Sequence, residues 1–188
     1  MVYRQRVPGT VIDAPVYLDA NVLVAILVSG HSLAIPCSQM FGELPARQHA
    51  IFISDLGLSE CLWAIASIAY SRVTGQPRTS MGKGAYRRNA NALFAQQGSM
   101  LSALTQQFSA LVRLPYPISM VPAAPATSER VVSQTTLLME QLRLTSGDAA
   151  HLALAEEYAQ TFITCDGDYN IVGGQTTQAS QLTVLRVT

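Results

Sequence analysis

Short apolar runs rich in β-branched and aromatic residues alternate along this chain with longer segments of helical pattern. In the helical segments, apolar residues recur at three- and four-residue spacing with good helix formers between them. Strands that are apolar throughout need cover on both faces, and strands that alternate with helices pair mostly in parallel. The pattern therefore predicts an α/β fold, with strands over 16–19, 50–54, 118–121, 161–165 and 182–187 and helices over 21–29, 56–72, 85–112, 127–142 and 147–159.

Size and composition are those of an ordinary single-domain protein. The chain has 188 residues, of which 49% are hydrophobic and 13% charged, and this predicts one domain over 1–188 with a sizeable core. The longest apolar stretch, 22–28, is far too short to cross a bilayer, and no apolar run follows the arginines near the N-terminus. We therefore expect a soluble, cytoplasmic protein without a membrane partner.

The cysteines and the net charge point to no particular chemistry. Cys37, Cys61 and Cys165 match neither a disulfide framework nor a zinc-binding spacing, so we interpret them as buried thiols. The 12 basic residues balance the 12 acidic ones, so the net charge gives no argument for a nucleic-acid partner. Five of the basic residues nevertheless fall between positions 72 and 88, where no acid occurs, and this indicates a local basic patch.

Two aspartates lie at the ends of predicted strands. Asp19 ends the first strand, and Asp166 directly follows the fourth. In an open parallel sheet, ligands bind beyond the carboxyl ends of the strands, so both acids lie at the expected edge of a site. Each also has a structural alternative, because an Asp at a strand end often caps a helix or forms an Asx turn, here with Gly167.

Two further acids lie on predicted helices. Glu60 is in line with the apolar stripe that includes Trp63 and Ile68, so its carboxylate should face inward and need a partner or a metal ion. Asp148 falls in the first turn after Ser146, the predicted N-cap. The alternatives are a salt bridge for Glu60 and a favourable helix dipole for Asp148.

Each acid is a weak signal alone, but together they converge on one edge of the predicted sheet. Carboxylates that crowd together repel one another unless a cation lies among them. Mg²⁺ and Mn²⁺ prefer oxygen ligands, and such an ion orients a water, lowers its pKa and stabilises charge on a phosphodiester oxygen. The acids thus indicate metal-dependent phosphate chemistry. We interpret the neighbouring His151 as a packing or surface residue.

The order and context of these acids resemble the PIN domain, the fold of VapC-type toxin ribonucleases. The resemblance covers nearly the whole chain. It implies a three-layer α/β/α fold with a mostly parallel five-stranded sheet in the order 3-2-1-4-5. It also implies Mg²⁺ or Mn²⁺ held by Asp19, Glu60, Asp148 and Asp166, and hydrolysis of RNA. The motifs that carry it are Asp19 with Asn21, Glu60 followed by Trp63 after a strand that ends in Ser54, DAAHLA from Asp148, and TCDGDY from Thr164.

The first hypothesis is therefore a metal-dependent endoribonuclease, with those four acids at its centre. Asn21 and Asp168 would assist through outer contacts or waters, while Lys83, Arg87 and Arg88 would hold the RNA backbone. If the protein is the toxin of a toxin–antitoxin pair, we expect a homodimer that binds an antitoxin protein over an apolar groove. An extra helical and loop portion over about 75–115 departs from compact toxins of this kind, so a role in RNA processing stays open.

Two other functions remain as alternatives. The chain could be a non-catalytic module with a PIN fold that binds RNA or takes part in an RNA-processing assembly, although the presence of all four acids argues against a decayed site. It could also be a metal phosphohydrolase acting on small phosphate esters. Against that function, position 21 is Asn where a second Asp is expected after a nucleophilic Asp19.

Overall fold

Six strands form one sheet in the computed structural model, which describes residues 1–28, 30–44, 50–93, 95, 118–121, 128–174 and 181–188. The strands are β1 (Val2–Gln5), β2 (Val16–Leu18), β3 (Ile51–Ser54), β4 (Ile118–Val121), β5 (Thr161–Thr164) and β6 (Thr183–Arg186). Their order across the sheet is β1-β6-β5-β2-β3-β4, and all five neighbouring pairs are parallel.

The five predicted strands are confirmed as β2 to β6, and their order β4-β3-β2-β5-β6 is the predicted 3-2-1-4-5. The prediction of five strands missed β1, which adds a sixth at the edge beside β6. Edge strand β1 contains Arg4 and Gln5 and is mostly exposed, so it carries no apolar run that could have indicated a strand.

The main helices are α1 (Ala20–Leu27), α2 (Ala34–Glu43), α3 (Asp55–Thr74), α4 (Lys83–Arg88), α5 (Ser128–Leu142) and α6 (Ser146–Tyr158). Residues 90–93 and 95 are also helical, and short 3-10 helices span Arg78–Ser80 and Asp168–Gly174. Four of the main helices lie within a few residues of their predicted bounds, and α2 was not predicted. Pro36 interrupts the pattern of α2, but it lies in the first turn, where its missing N–H breaks no intrahelical bond. Within the predicted helix 85–112, residues 94 and 96–112 lie outside the described residues.

Helices cover both faces of the sheet, as the three-layer prediction requires. Alternation along the fully buried strand β2 turns Leu18 toward the cluster that α1, α2 and α3 build. Tyr17 points the other way, into the cluster formed with α5 and α6. None of the described helices has both the length and the apolar character that a bilayer crossing requires.

The extra portion predicted over about 75–115 is described only in its first half. It begins at Gly75, whose left-handed backbone (φ 70°) ends α3, and it includes α4. Residues 96–115 of that portion lie outside the described residues. A single domain over 1–188 stays a prediction.

Candidate active site

Asp19 lies where β2 ends and α1 begins, at the carboxyl edge of the sheet. It is only 5% exposed, and its side chain does not cap the helix. Instead its Oδ2 accepts hydrogen bonds from Thr164 Oγ1 at 2.7 Å and from Asn21 Nδ2 at 2.9 Å. Burial raises the pKa of Asp19, against the opposing effects of His151 and Thr164. A carboxylate held in this way is costly to ionise unless a cation lies beside it.

Asn21 links the start of α1 to the end of β5. While its Nδ2 donates to Asp19, its Oδ1 accepts the backbone N–H of Cys165 at 2.9 Å. Thr164 completes the link, because its hydroxyl donates to Asp19 and accepts the backbone N–H of Asp166 at 2.9 Å. The two side chains therefore fix Asp19 relative to the loop that carries Asp166. Sequence reasoning quoted Thr164 within a motif but gave it no role.

Glu60 and His151 meet between α3 and α6. His151 Nε2 lies 2.7 Å from Glu60 Oε2, and Nδ1 lies 3.0 Å from the Tyr17 hydroxyl, which donates to Ser54 Oγ at 2.6 Å. Ser54 also accepts the backbone N–H of Gly57 at 3.0 Å and so caps α3. His151 is 1% exposed. It is therefore a buried member of a polar chain that ends on Glu60, not a residue of apolar packing or of the surface.

The protonation of His151 depends on its two oxygen neighbours and on burial. Its Nδ1 faces the Tyr17 hydroxyl, and its Nε2 faces the Glu60 carboxylate. Burial alone would lower the pKa of His151. The hydrogen bond to Glu60 and the charges of Asp19, Glu60 and Asp148 outweigh it, so the pKa is raised. The surrounding acids therefore favour the protonated form, which would offset part of the negative charge at this edge.

Asp19, Glu60 and His151 form a group suited to holding a metal ion. One ligand atom from each lies within 4.8 Å of the others. Carboxylate oxygens with an imidazole fit a divalent cation such as Mn²⁺, and the oxygens alone fit Mg²⁺. Binding through the imidazole would require His151 to lose its proton.

The structure places the other two predicted ligands nearby, although outside that group. Asp148 Oδ2 accepts the Thr145 hydroxyl at 2.5 Å, and Thr145, not the predicted Ser146, is the N-cap of α6. All four acids nevertheless act electrostatically on the buried Tyr169. Its pKa is raised by burial first and then by the charges of Asp19, Asp148, Asp166 and Glu60.

Two glycines make room for Glu60 and Arg186, because a glycine has no side chain. A Cβ on Gly147 would lie 3.0 Å from Glu60 Oε1, so Gly147 lets the α6 terminus approach Glu60. A Cβ on Gly167 would lie 3.2 Å from a terminal nitrogen of Arg186, whose guanidinium packs against that loop. Arg186 is a cation at the end of β6 that sequence reasoning missed, and it forms no ion pair within the described part of the chain.

Asp166 and Asp168 share a tight turn after β5. Asp166 Oδ1 accepts the backbone N–H of Asp168 at 2.8 Å, which is the Asx turn that was weighed as the alternative for this segment. Asp166 is partly buried, whereas Asp168 is exposed. The turn leaves the second oxygen of Asp166 for another partner, so a ligand role and the turn are compatible.

Comparison with known proteins identifies the fold. The sequence profile of the PIN domain matches residues 16–175. The chain belongs to the PIN domain family. Comparison with curated proteins finds no match. Two of the similar solved structures are the Mycobacterium tuberculosis toxin VapC20, which cleaves the sarcin-ricin loop, and VapBC2 from Rickettsia felis bound to a promoter DNA fragment.

These two structures share the fold with this PIN domain but little sequence. VapC20 is 15% identical with a TM-score of 0.50, over 84% of this chain and 95% of its own. VapBC2 is 14% identical with a TM-score of 0.51, over 92% of this chain and 98% of its own.

A cleft of about 260 Å³ opens in this PIN domain beside Asp148 and Asp168. Arg143 lies on its wall, just after α5, with the left-handed backbone (φ 58°) that non-glycine residues rarely adopt. Its exposed side chain adds a cation next to the acids. The cleft therefore combines acidic and basic groups at one end of α6.

Helix α4 carries the predicted RNA-binding residues Lys83, Arg87 and Arg88, and all three are exposed. It is joined to α3 by Trp63 and Tyr86, whose rings lie 5.7 Å apart. Trp63 belongs to the apolar stripe of α3 that was predicted to face inward; for Trp63 this was wrong, because it is 45% exposed. Since Trp63 lies one turn beyond Glu60 on α3, the basic helix is anchored close to the candidate site.

Proposed function

We propose that this PIN domain is a metal-dependent endoribonuclease that hydrolyses RNA phosphodiester bonds, with Mg²⁺ or Mn²⁺ held by Asp19, Glu60, Asp148 and Asp166. The observation that carries the proposal is the buried Asp19 within 4.8 Å of Glu60 and His151 at the carboxyl edge of a parallel sheet. A cation among these groups relieves both the burial of Asp19 and the repulsion between the acids.

A bound divalent ion would supply an activated water and would stabilise charge on the phosphate. The chain's own residues fix the geometry. Thr164 and Asn21 hold Oδ2 of Asp19 by two hydrogen bonds, so its other oxygen lies in a defined place. His151 orients Glu60 in the same way. Both acids are thus set before the substrate arrives, which is what electrostatic catalysis requires.

Cations around this acidic edge complete a path for the RNA backbone. Arg186 beside Gly167 and Arg143 in the cleft are available to bind phosphates on either side of the scissile bond. Farther out, α4 adds three exposed cations, and Trp63 adds a partly exposed ring on which a base can stack. A neutral protein would thereby bind a polyanion locally.

A role as the toxin of a toxin–antitoxin pair, acting as a homodimer with an antitoxin protein, extends this proposal. Its support is the shared fold with VapC20 and VapBC2. Val132 and Met139 are exposed apolar residues two turns apart on one face of α5, and a partner could cover this face. Light scattering of the purified chain, alone and with the product of a neighbouring small gene, checks both partners.

Metal dependence is the first expected result. The purified protein should cleave single-stranded or structured RNA internally in Mg²⁺ or Mn²⁺, and chelation should reduce the rate to background. Gel analysis of end-labelled RNA measures this, with p-nitrophenyl phosphate as the control for a small-ester phosphohydrolase. RNA binding without cleavage in either metal would favour the non-catalytic module, and ester hydrolysis alone would favour the phosphohydrolase.

Removing the charges of α4 should weaken RNA binding and its salt dependence. Replacement of Lys83, Arg87 and Arg88 by Ala removes three phosphate contacts, and the slope of log K against log salt should fall by about 2 on single-stranded RNA. The fluorescence of Trp63, the single tryptophan of the chain, reports binding in chelator without interference from cleavage. The single variant Arg87→Ala is compared with Arg4→Ala. The latter also removes one exposed cation, but from β1 instead of α4. An unchanged slope in the triple variant would mean that α4 is only a solvated surface.

A further inference from the structure

Two of the three cysteines lie in contact although 128 positions separate them. Cys37 Sγ in α2 is 3.3 Å from Cys165 Sγ, just after β5. Cys37 is fully buried and Cys165 is partly exposed. Sequence reasoning took all three as buried thiols because no spacing linked them, and it had no means of detecting a pair brought together by the fold.

The two thiols of the pair differ in their surroundings. The pKa of Cys37 is lowered by the hydrogen bond from Cys165 and by the charge of Arg6, which together outweigh burial. The pKa of Cys165 is raised, by its hydrogen bond to Cys37 first and then by burial, so Cys165 keeps its proton. Cys61 has no such partner thiol, and burial alone raises its pKa to about 12. The contact between the two sulfurs and the partial exposure of Cys165 therefore set this pair apart from Cys61.

We propose that Cys37 and Cys165 are a modification site that hydrogen peroxide oxidises to an intramolecular disulfide. The sulfur of the partly exposed Cys165 attacks a peroxide oxygen and gives up its proton. The O–O bond breaks, the departing hydroxide takes that proton and leaves as one water, and a sulfenic acid remains. Cys37 then attacks that sulfur, the S–O bond breaks, and the departing hydroxide takes the remaining thiol proton as a second water. One hydrogen peroxide thus removes two electrons and two protons from the pair.

The Cys37–Cys165 disulfide would affect the candidate site through the backbone around Cys165. This consequence rests on the proposed function. The sulfurs must approach from 3.3 Å to about 2.0 Å, so Cys165 or α2 has to shift. Cys165 lies between Thr164 and Asp166, and its backbone N–H is held by Asn21. Oxidation therefore moves or fixes the segment that positions Asp19 and Asp166.

The full-length reduced protein, treated with hydrogen peroxide under native conditions and then denatured and alkylated, tests the modification. The expected product has lost two hydrogen atoms in mass, has a single alkylated cysteine, Cys61, and yields one cross-linked peptide containing Cys37 and Cys165. Cys61→Ser is the matched control and should still form the disulfide, whereas Cys37→Ser and Cys165→Ser should not. Peptide mapping of the wild type alone decides the matter if a variant does not fold.

Three outcomes would overturn the proposal: sulfinic acid at Cys165 with Cys37 still free for alkylation, all three cysteines free, or a disulfide that includes Cys61. The effect on the site is tested separately by the rise in melting temperature that Mn²⁺ causes in the reduced and the oxidised protein. A response that differs between the two states supports the coupling, and an identical rise in both states refutes it. No rise in either state contradicts the metal site of the proposed function instead. Neither measurement depends on ribonuclease activity, so this inference and the proposed function can fail independently.

Discussion

Asp19→Asn should reduce metal-dependent RNA cleavage by at least about a hundredfold, because the loss of outer-shell partners alone costs 10–100-fold and Asp19 is a direct ligand in the proposed site. Asn keeps the shape of the side chain, and its oxygen can still accept the hydrogen bonds of Thr164 and Asn21. The variant therefore removes one negative charge without removing the scaffold. Single-turnover cleavage of end-labelled RNA in Mg²⁺ and in Mn²⁺ measures the loss.

The control for this result is the same substitution at the opposite edge of the sheet. Asp13 is exposed and precedes β2, whereas Asp19 follows it, so Asp13→Asn should cleave RNA like the wild type. Circular dichroism of both variants confirms that the fold is kept. Cleavage by Asp19→Asn at a near-normal rate would contradict the placement of the active site.

The sheet could be predicted because its central strands carry their own signal. Strand β2 is fully buried on both faces, so all of its residues are apolar or aromatic and the run is visible without any tertiary information. The acids that follow β2 and β5 could be predicted from the position of these buried strands, since Asp19 directly follows β2 and Asp166 lies two residues after the end of β5. Strand β1 gave no signal because its side chains are mostly exposed, so its sequence shows no apolar run.

The contacts between elements could not be predicted, since single-residue patterns do not specify them. His151 lies on an apolar helix, and only its placement against Glu60 and Tyr17 makes it part of a polar chain. Trp63 looks like a core residue by type, yet the surface between α3 and α4 leaves it partly exposed. Arg186 gave no signal beyond its position at a strand end.

In chelator at neutral pH, Asp19→Asn should have a higher melting temperature than the wild type. Burial raises the pKa of Asp19 in the folded state, so the ionised carboxylate destabilises the fold. Below the unfolded pKa of about 3.9 both states are protonated and the difference should vanish. As the pH rises through the folded pKa, the wild type loses stability that the neutral Asn retains. For a domain of this size, about 2–4 °C corresponds to each kcal/mol relieved.

His151 changes the stability with pH in the same direction as Asp19, because folding raises both pKa values, but its loss of stability begins only above the unfolded pKa of His. Its raised pKa stabilises the fold fully below the unfolded pKa of about 6.5, and this contribution is lost as the pH rises through the folded pKa. Because the charge of Asp19 helps to raise the pKa of His151, the variant should lose this contribution at a lower pH than the wild type. Melting curves from pH 4 to pH 9 therefore separate the two groups.

Mn²⁺ should reverse the order of the two proteins. An ion that binds only the folded wild type adds about 2.7 kcal/mol at a hundredfold excess over Kd, or roughly 5–11 °C, while the variant lacks one ligand and should respond much less. Asp13→Asn should follow the wild type in both conditions. Both effects are needed, because each alone has another explanation. A change of surface charge could stabilise the variant in chelator, and weak nonspecific binding could raise the melting temperature in Mn²⁺. If Asp19→Asn melts below the wild type in chelator and gains as much from Mn²⁺, then Asp19 is a structural acceptor for Thr164 and Asn21 and holds no metal ion.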